Sequence, residues 1–80
     1  MIMRALDALL EDLDVVRWCR TRLKERCPFA EKLALKRTWR ERTAHARRAL
    51  EAIRRDDPEF SRELERTVVA DAAPELARRR

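Results

Sequence analysis

Apolar residues at Ile2, Leu6, Leu9, Leu13, Val16, Leu23 and Cys27 follow alternating steps of three and four, broken only where Arg20 takes the expected place. That spacing predicts a first helix with a narrow, coiled-coil-like seam. Leu10 and Trp18 stand beside the seam, where they would widen its buried face. Pro28 predicts a fresh helix start, because its missing N–H falls in the first turn, where no partner is needed, and Glu31 suits that positive end. Leu35, Trp39, Thr43, Ala46, Leu50 and Ile53 then recur at helical spacing, which predicts a second helix over about residues 29–55. Helices joined by so short a break favour an antiparallel arrangement.

Asp57-Pro58-Glu59 reads as a further helix start, with Asp57 as N-cap, Pro58 in the first turn and Glu59 facing the dipole. Phe60, Leu64, Thr67 and Val68 supply its apolar stripe. It should end before Pro74, with Asp71–Ala73 as a bend and Pro74-Glu75-Leu76-Ala77 as a final turn. The expected architecture is all-α: a long antiparallel helical hairpin plus a shorter third helix, forming one domain over residues 1–77, with Arg78-Arg79-Arg80 a frayed basic tail.

Composition strengthens this picture. Glycine and tyrosine are absent and only three prolines occur, so hairpin-turn chemistry for strands is missing. Eighty residues suffice for one core and not two. The formal charge of +5 is unevenly spread. Residues 1–16 carry one Arg against four acids, residues 17–55 fourteen Lys/Arg against four Glu, and residues 56–80 five Arg against seven acids. The positive charge therefore belongs to the middle of the chain, and would draw an anionic partner. No apolar run has the length of a secretion signal or a membrane span, so the expectation is a cytoplasmic protein with no membrane partner.

Most catalytic chemistry is excluded by what the chain lacks. Phosphate-cradling loops need glycine, and there is none. Ser61 is the sole serine and lies in the first turn of a predicted helix, with no oxyanion loop nearby. Cys19 and Cys27 are separated by about 12 Å along one helix, too far to bridge, and two Cys with the single His45 cannot complete a four-ligand zinc shell. They read as free thiols. Arg40 and His45 have the Arg-x4-His spacing that resembles the ribonuclease motif of HEPN domains, but five helical steps set them about 140° apart on the cylinder. Neither a catalytic residue, a metal ligand nor a cofactor is therefore assigned.

Arg22-Leu23-Lys24, Cys27-Pro28-Phe29, Ala49-Leu50-Glu51-Ala52-Ile53 and Asp57-Pro58-Glu59 together resemble, in order and spacing, the first half of an α-helical MazG-type nucleotide pyrophosphohydrolase domain, over roughly residues 16–70. That resemblance implies two acidic clusters on facing helices that hold magnesium, an ion suited to hard carboxylate oxygens. Laid on this chain, they fall at Ala44, His45 and Arg48, and at Arg62, Glu63 and Arg66. Only Glu63 keeps the required chemistry, so the resemblance implies an inactive relative.

What remains is a non-enzymatic helical binding module, of the class that includes phage or mobile-element inhibitors and regulators of host proteins. Leu6, Leu9, Leu13 and Val16 are the expected self-association seam of a homodimer. Lys36, Arg37, Arg40, Arg47, Arg48, Arg54 and Arg55 form the basic face expected to meet an acidic protein surface. The alternatives are a sequence-nonspecific nucleic-acid binder, through phosphate contacts of the same arginines, and the inactive pyrophosphohydrolase relative.

Overall fold

The structure, a computed structural model, describes residues 2–77. The expected tail Arg78–Arg80 and the side chain of the seam position Ile2 lie outside the described residues. Two long helices, α1 (Ile2–Lys24) and α2 (Phe29–Asp56), are followed by α3 (Pro58–Leu64), a π-helical stretch (Glu65–Val69), α4 (Ala70–Ala72) and α5 (Pro74–Ala77). No described residue is in a strand. No described helix is long and apolar enough to cross a membrane.

Pro28 stands one position earlier than a first-turn proline: it is the N-cap of α2, in extended backbone, and its carbonyl accepts from Lys32 at 3.0 Å. Arg22 staples the hairpin corner, reaching Glu25 and Glu31 at 2.7 Å each. Arg22 meets Glu31 and Asp12 meets Arg42, so late α1 faces early α2 and early α1 faces late α2, as an antiparallel pair must. The longest molecular dimension, 42 Å, is the length of the 28-residue α2 at about 1.5 Å per residue.

Asp57 caps α3 as its sequence position predicts, accepting from the Phe60 N–H at 3.2 Å. From there the chain folds back over the hairpin. Leu9, Leu13 and Val16 of α1 and Ala46, Leu50 and Ile53 of α2 share one core with Leu64, Val69, Ala72, Ala73 and Leu76. This corrects the expected dimer seam. Leu9, Leu13 and Val16 are at most 1% exposed, and Leu6 is half-buried against the same cluster. The C-terminal segment is long enough to cover the hairpin, so the seam is consumed inside one chain.

Two further expectations change. Leu10 and Trp18 do not widen the buried face; they point outward, as do Met3, Phe29 and Leu33. The stripe expected at Phe60, Leu64, Thr67 and Val68 holds at Leu64, which is buried, and at Phe60 and Val68, which pack half-buried against the core, but Thr67 is exposed and Val69 joins the core fully buried. The cause is the π-helical stretch, whose wider turn sets residues four apart slightly back around the axis and so offsets the forward drift of the α-helical turns on either side. Ser61, Glu65, Val69 and Ala73, all buried, have that spacing. In a strict α-helix each four-residue step would drift about 40° around the axis.

Candidate functional site

The basic side chains of α2 are sorted by the fold into those it uses and those it leaves over. Arg54 is used: its guanidinium bonds the buried carboxylate of Glu65 at 2.8 Å, and Glu65 also accepts from the Ser61 hydroxyl at 3.1 Å. A helix-to-tail tether of this kind removes Arg54 from the expected partner-binding face. Lys36, Arg37, Arg40, Arg47, Arg48 and Arg55 are all exposed.

Three of these come together. Lys36, Arg40 and Arg47 line a trough of about 420 Å³ with Trp39, Thr43 and Ala44, and Glu75 closes it from α5. Arg37, Arg48 and Arg55 each follow a member of the Lys36, Arg47 and Arg54 row by one residue, about 100° further around the helix. Arg48 accordingly lines a different, shallow depression with Arg4, Ala5, Ala8, His45 and Ala49. The face expected as one surface is thus two. None of Lys36, Arg40 and Arg47 forms an ion pair among the described residues, whereas Arg17, Arg22, Arg42, Arg54 and Arg66 all do.

The second polar feature lies between the long helices. Asp12, 1% exposed, accepts from Arg42 at 2.8 Å through Oδ1 and meets Nδ1 of His45 at 2.5 Å through Oδ2. Both partners reach in from half-exposed positions. The carboxylate pushes the Arg42 pKa further up, through its hydrogen bond first and its charge second, so Arg42 remains a cation. Asp12 is thus a buried residue of α1, unlike the exposed acids Asp7, Glu11 and Asp14 of the same helix. Its signal was present in the sequence: it lies three after Leu9 and four before Val16, on the seam, while Arg42 lies four before Ala46 on the stripe of α2. A carboxylate and a guanidinium that both fall on buried stripes have one economical solution, which is each other.

Other sequence candidates separate. Arg40 opens into the trough while His45 turns to Asp12, so the Arg-x4-His spacing makes no joint site. Arg62, Glu63 and Arg66 line a depression of about 700 Å³ with Glu59, Glu65 and Ala77, apart from Ala44, His45 and Arg48, and there Glu63 and Arg66 bridge each other at 2.5 Å. Cys19 is wholly buried and Cys27 half-buried, both free. Burial pushes the Cys19 thiol up, with the charge of Arg42 partly opposing, which makes it a packing residue rather than a nucleophile.

No curated protein and no solved structure gives a significant match to the chain. The resemblance to a MazG-type domain gains no support from the family comparison. The family that does match is EncFtn-like, over residues 1–71, and with nearly its whole length covered, both long helices included, the chain belongs to that family.

Proposed function

We propose that this chain is a non-enzymatic helical module that self-associates and presents the basic outer side of α2 to an acidic partner, the first such surface being α1 of another copy. The carrying observation is the segregation of charge among exposed apolar groups on the two long helices. On α1, Met3, Leu10 and Trp18 are exposed, and the exposed acids Asp7, Glu11 and Asp14 lie among them. On α2, Phe29 and Leu33 are exposed beside Lys36, Arg37 and Arg40. Apolar anchors rimmed by opposite charge make complementary surfaces. One chain cannot join its own two outer sides, because α1 and α2 already meet through their inner ones. Membership of the EncFtn-like family supports self-association independently.

The chemistry of the donor set supports the non-enzymatic part. A ferritin-like metal centre draws carboxylates and a Glu-x-x-His pair from facing helices. Here the residues do not fit such a centre. At that spacing α2 carries Arg42-Thr43-Ala44-His45, and the Arg42 guanidinium, 2.8 Å from Asp12, puts fixed positive charge beside the carboxylate a metal would need. Among the described residues no group of three or more His, Cys, Asp or Glu side chains could hold a metal ion.

Light scattering across a salt series tests the reading. At tens of micromolar the mass should exceed one chain and fall toward it as salt rises, since the rim charges are exposed and screened. Lys36→Glu with Arg37→Glu and Arg40→Glu should give a monomer of unchanged helicity. A single-chain mass at low salt would refute self-association. Oligomers that vanish on nuclease treatment would hand the basic side to nucleic acid instead.

A further inference from the structure

We propose that the trough on α2 is a binding site for an aromatic phosphate of mononucleotide size. The inference goes beyond self-association, because it concerns a small ligand and draws on Trp39, Thr43 and Glu75, which the oligomer reading does not use.

Size comes first. A volume of about 420 Å³ lies within the roughly 300–1,000 Å³ typical of small-molecule pockets. Charge comes next. Lys36, Arg40 and Arg47 follow one another by four and seven residues, so they stand along one side of α2, and the fold pairs none of them among the described residues. Three cations against the single Glu75 carboxylate in the lining raise the local potential for an anion, and guanidinium forks match phosphate oxygens in geometry as well as sign. The indole of Trp39 lies between Lys36 and Arg40 in sequence, packs partly on the core and also lines the trough. A flat ring with guanidinium neighbours accepts a second aromatic by stacking, with cation–π support.

Two more observations narrow the ligand. Thr43 sits between Arg40 and Arg47 in the lining, and its hydroxyl is buried with no hydrogen-bond partner, where a helical threonine ordinarily bonds the carbonyl four residues back. A phosphate oxygen is an acceptor of the kind this unsatisfied donor lacks. Glu75, on the facing wall, repels a second anionic end and accepts from a donor. The site therefore takes an anion beside the cations, a planar body against Trp39 and an N–H or O–H group at Glu75. Inorganic phosphate satisfies only the first requirement, and a neutral nucleoside only the others.

Calorimetric titration of the full chain with adenosine monophosphate, adenosine and inorganic phosphate tests this. The monophosphate should bind at least about tenfold more tightly than either fragment, a difference of about 1.4 kcal/mol. Arg40→Gln with Arg47→Gln should weaken it by a further tenfold or more, and Thr43→Val, which keeps the shape and removes the hydroxyl, should weaken it without lowering the melting temperature. Arg48→Gln with Arg55→Gln, equal in charge but outside the trough, should leave it unchanged. The proposal is overturned by absence of heat at millimolar ligand, by phosphate binding as well as the monophosphate, or by equal loss in the Arg48/Arg55 variant. Lys36 and Arg40 serve both readings, so the titration is repeated on the Leu10→Asp with Trp18→Asp variant, which leaves α2 uncovered: an unaltered chain that is monomeric and binds the nucleotide sinks the oligomer reading alone, and a folded variant that does not bind it sinks this one alone.

Discussion

Asp12 and Glu65 are the buried carboxylates among the described residues, and Asp12 is the deeper, 1% exposed, with two partners that are half in water. Removing the partners leaves a buried carboxylate uncompensated, whereas removing the carboxylate leaves a half-exposed guanidinium and a half-exposed imidazole that solvent can satisfy. Arg42→Ala with His45→Ala should therefore melt several degrees below Asp12→Asn, and the reverse order in thermal melts would remove the cluster from the account of stability. Cys19 gives a pH signature. Its folded pKa is raised, so above the ordinary thiol value of about 8.5 the unfolded chain loses a proton that the folded chain keeps, and stability falls as pH rises from there. Cys19→Ala should flatten that decline between about pH 8 and pH 10 in denaturant titrations. An unchanged slope would assign it to other groups.

At the level of elements, the C-terminal segment is held by α1 as much as by its own apolar contacts. Arg20 donates to the Ala72 carbonyl at 2.6 Å and the Asp71 carbonyl at 3.3 Å, and Arg17 pairs with the Asp71 carboxylate at 2.8 Å. A cation at the last carbonyls of a helix both satisfies them and suits the dipole. The apparent defect in the seam, an arginine where an apolar residue is expected, is thus the device that docks α4 onto α1. Arg20→Ala should cost about 1–3 kcal/mol. The loss should show first as faster amide exchange over Ala73–Ala77, with α1 and α2 little affected. Uniform acceleration along the whole chain would mean that the segment and the hairpin open as one unit.

For the whole molecule, burial divides leucines that are neighbours in sequence. Leu9 and Leu13 are core, and Leu10 is 38% exposed. Leu9→Asp with Leu13→Asp should unfold the chain, because charges would enter a shared core with no partner. Leu10→Asp with Trp18→Asp should leave circular dichroism intact and yield a monomer in light scattering. A folded Leu9/Leu13 variant, or an oligomeric Leu10/Trp18 one, would return self-association to the inner seam.

The local signals decided the elements. The three-four spacing of apolar residues, Pro28 at the corner and the Asp57 cap each act within a turn or two of chain, so the two long helices and the start of α3 were legible without coordinates; the bend expected over Asp71–Ala73 narrows to Ala73, since Asp71 and Ala72 are helical. That Ala44 and Arg48 cannot supply carboxylate ligands was equally a matter of side-chain chemistry. Which apolar residues are used inside the chain was not local. It depended on the C-terminal segment lying over the hairpin and on the π-helical stretch that buries Val69 fully beside a half-buried Val68. The same holds for charge. Periodicity placed Lys36, Arg40, Arg47 and Arg54 on one row, but only the packing of Glu65 against α2 could take Arg54 out of it, and only the return of Glu75 could close the remaining three into a trough. A helix's sequence specifies its stripes; what covers each stripe depends on elements far away in the chain, whose contacts carry no signature at the residue they cover.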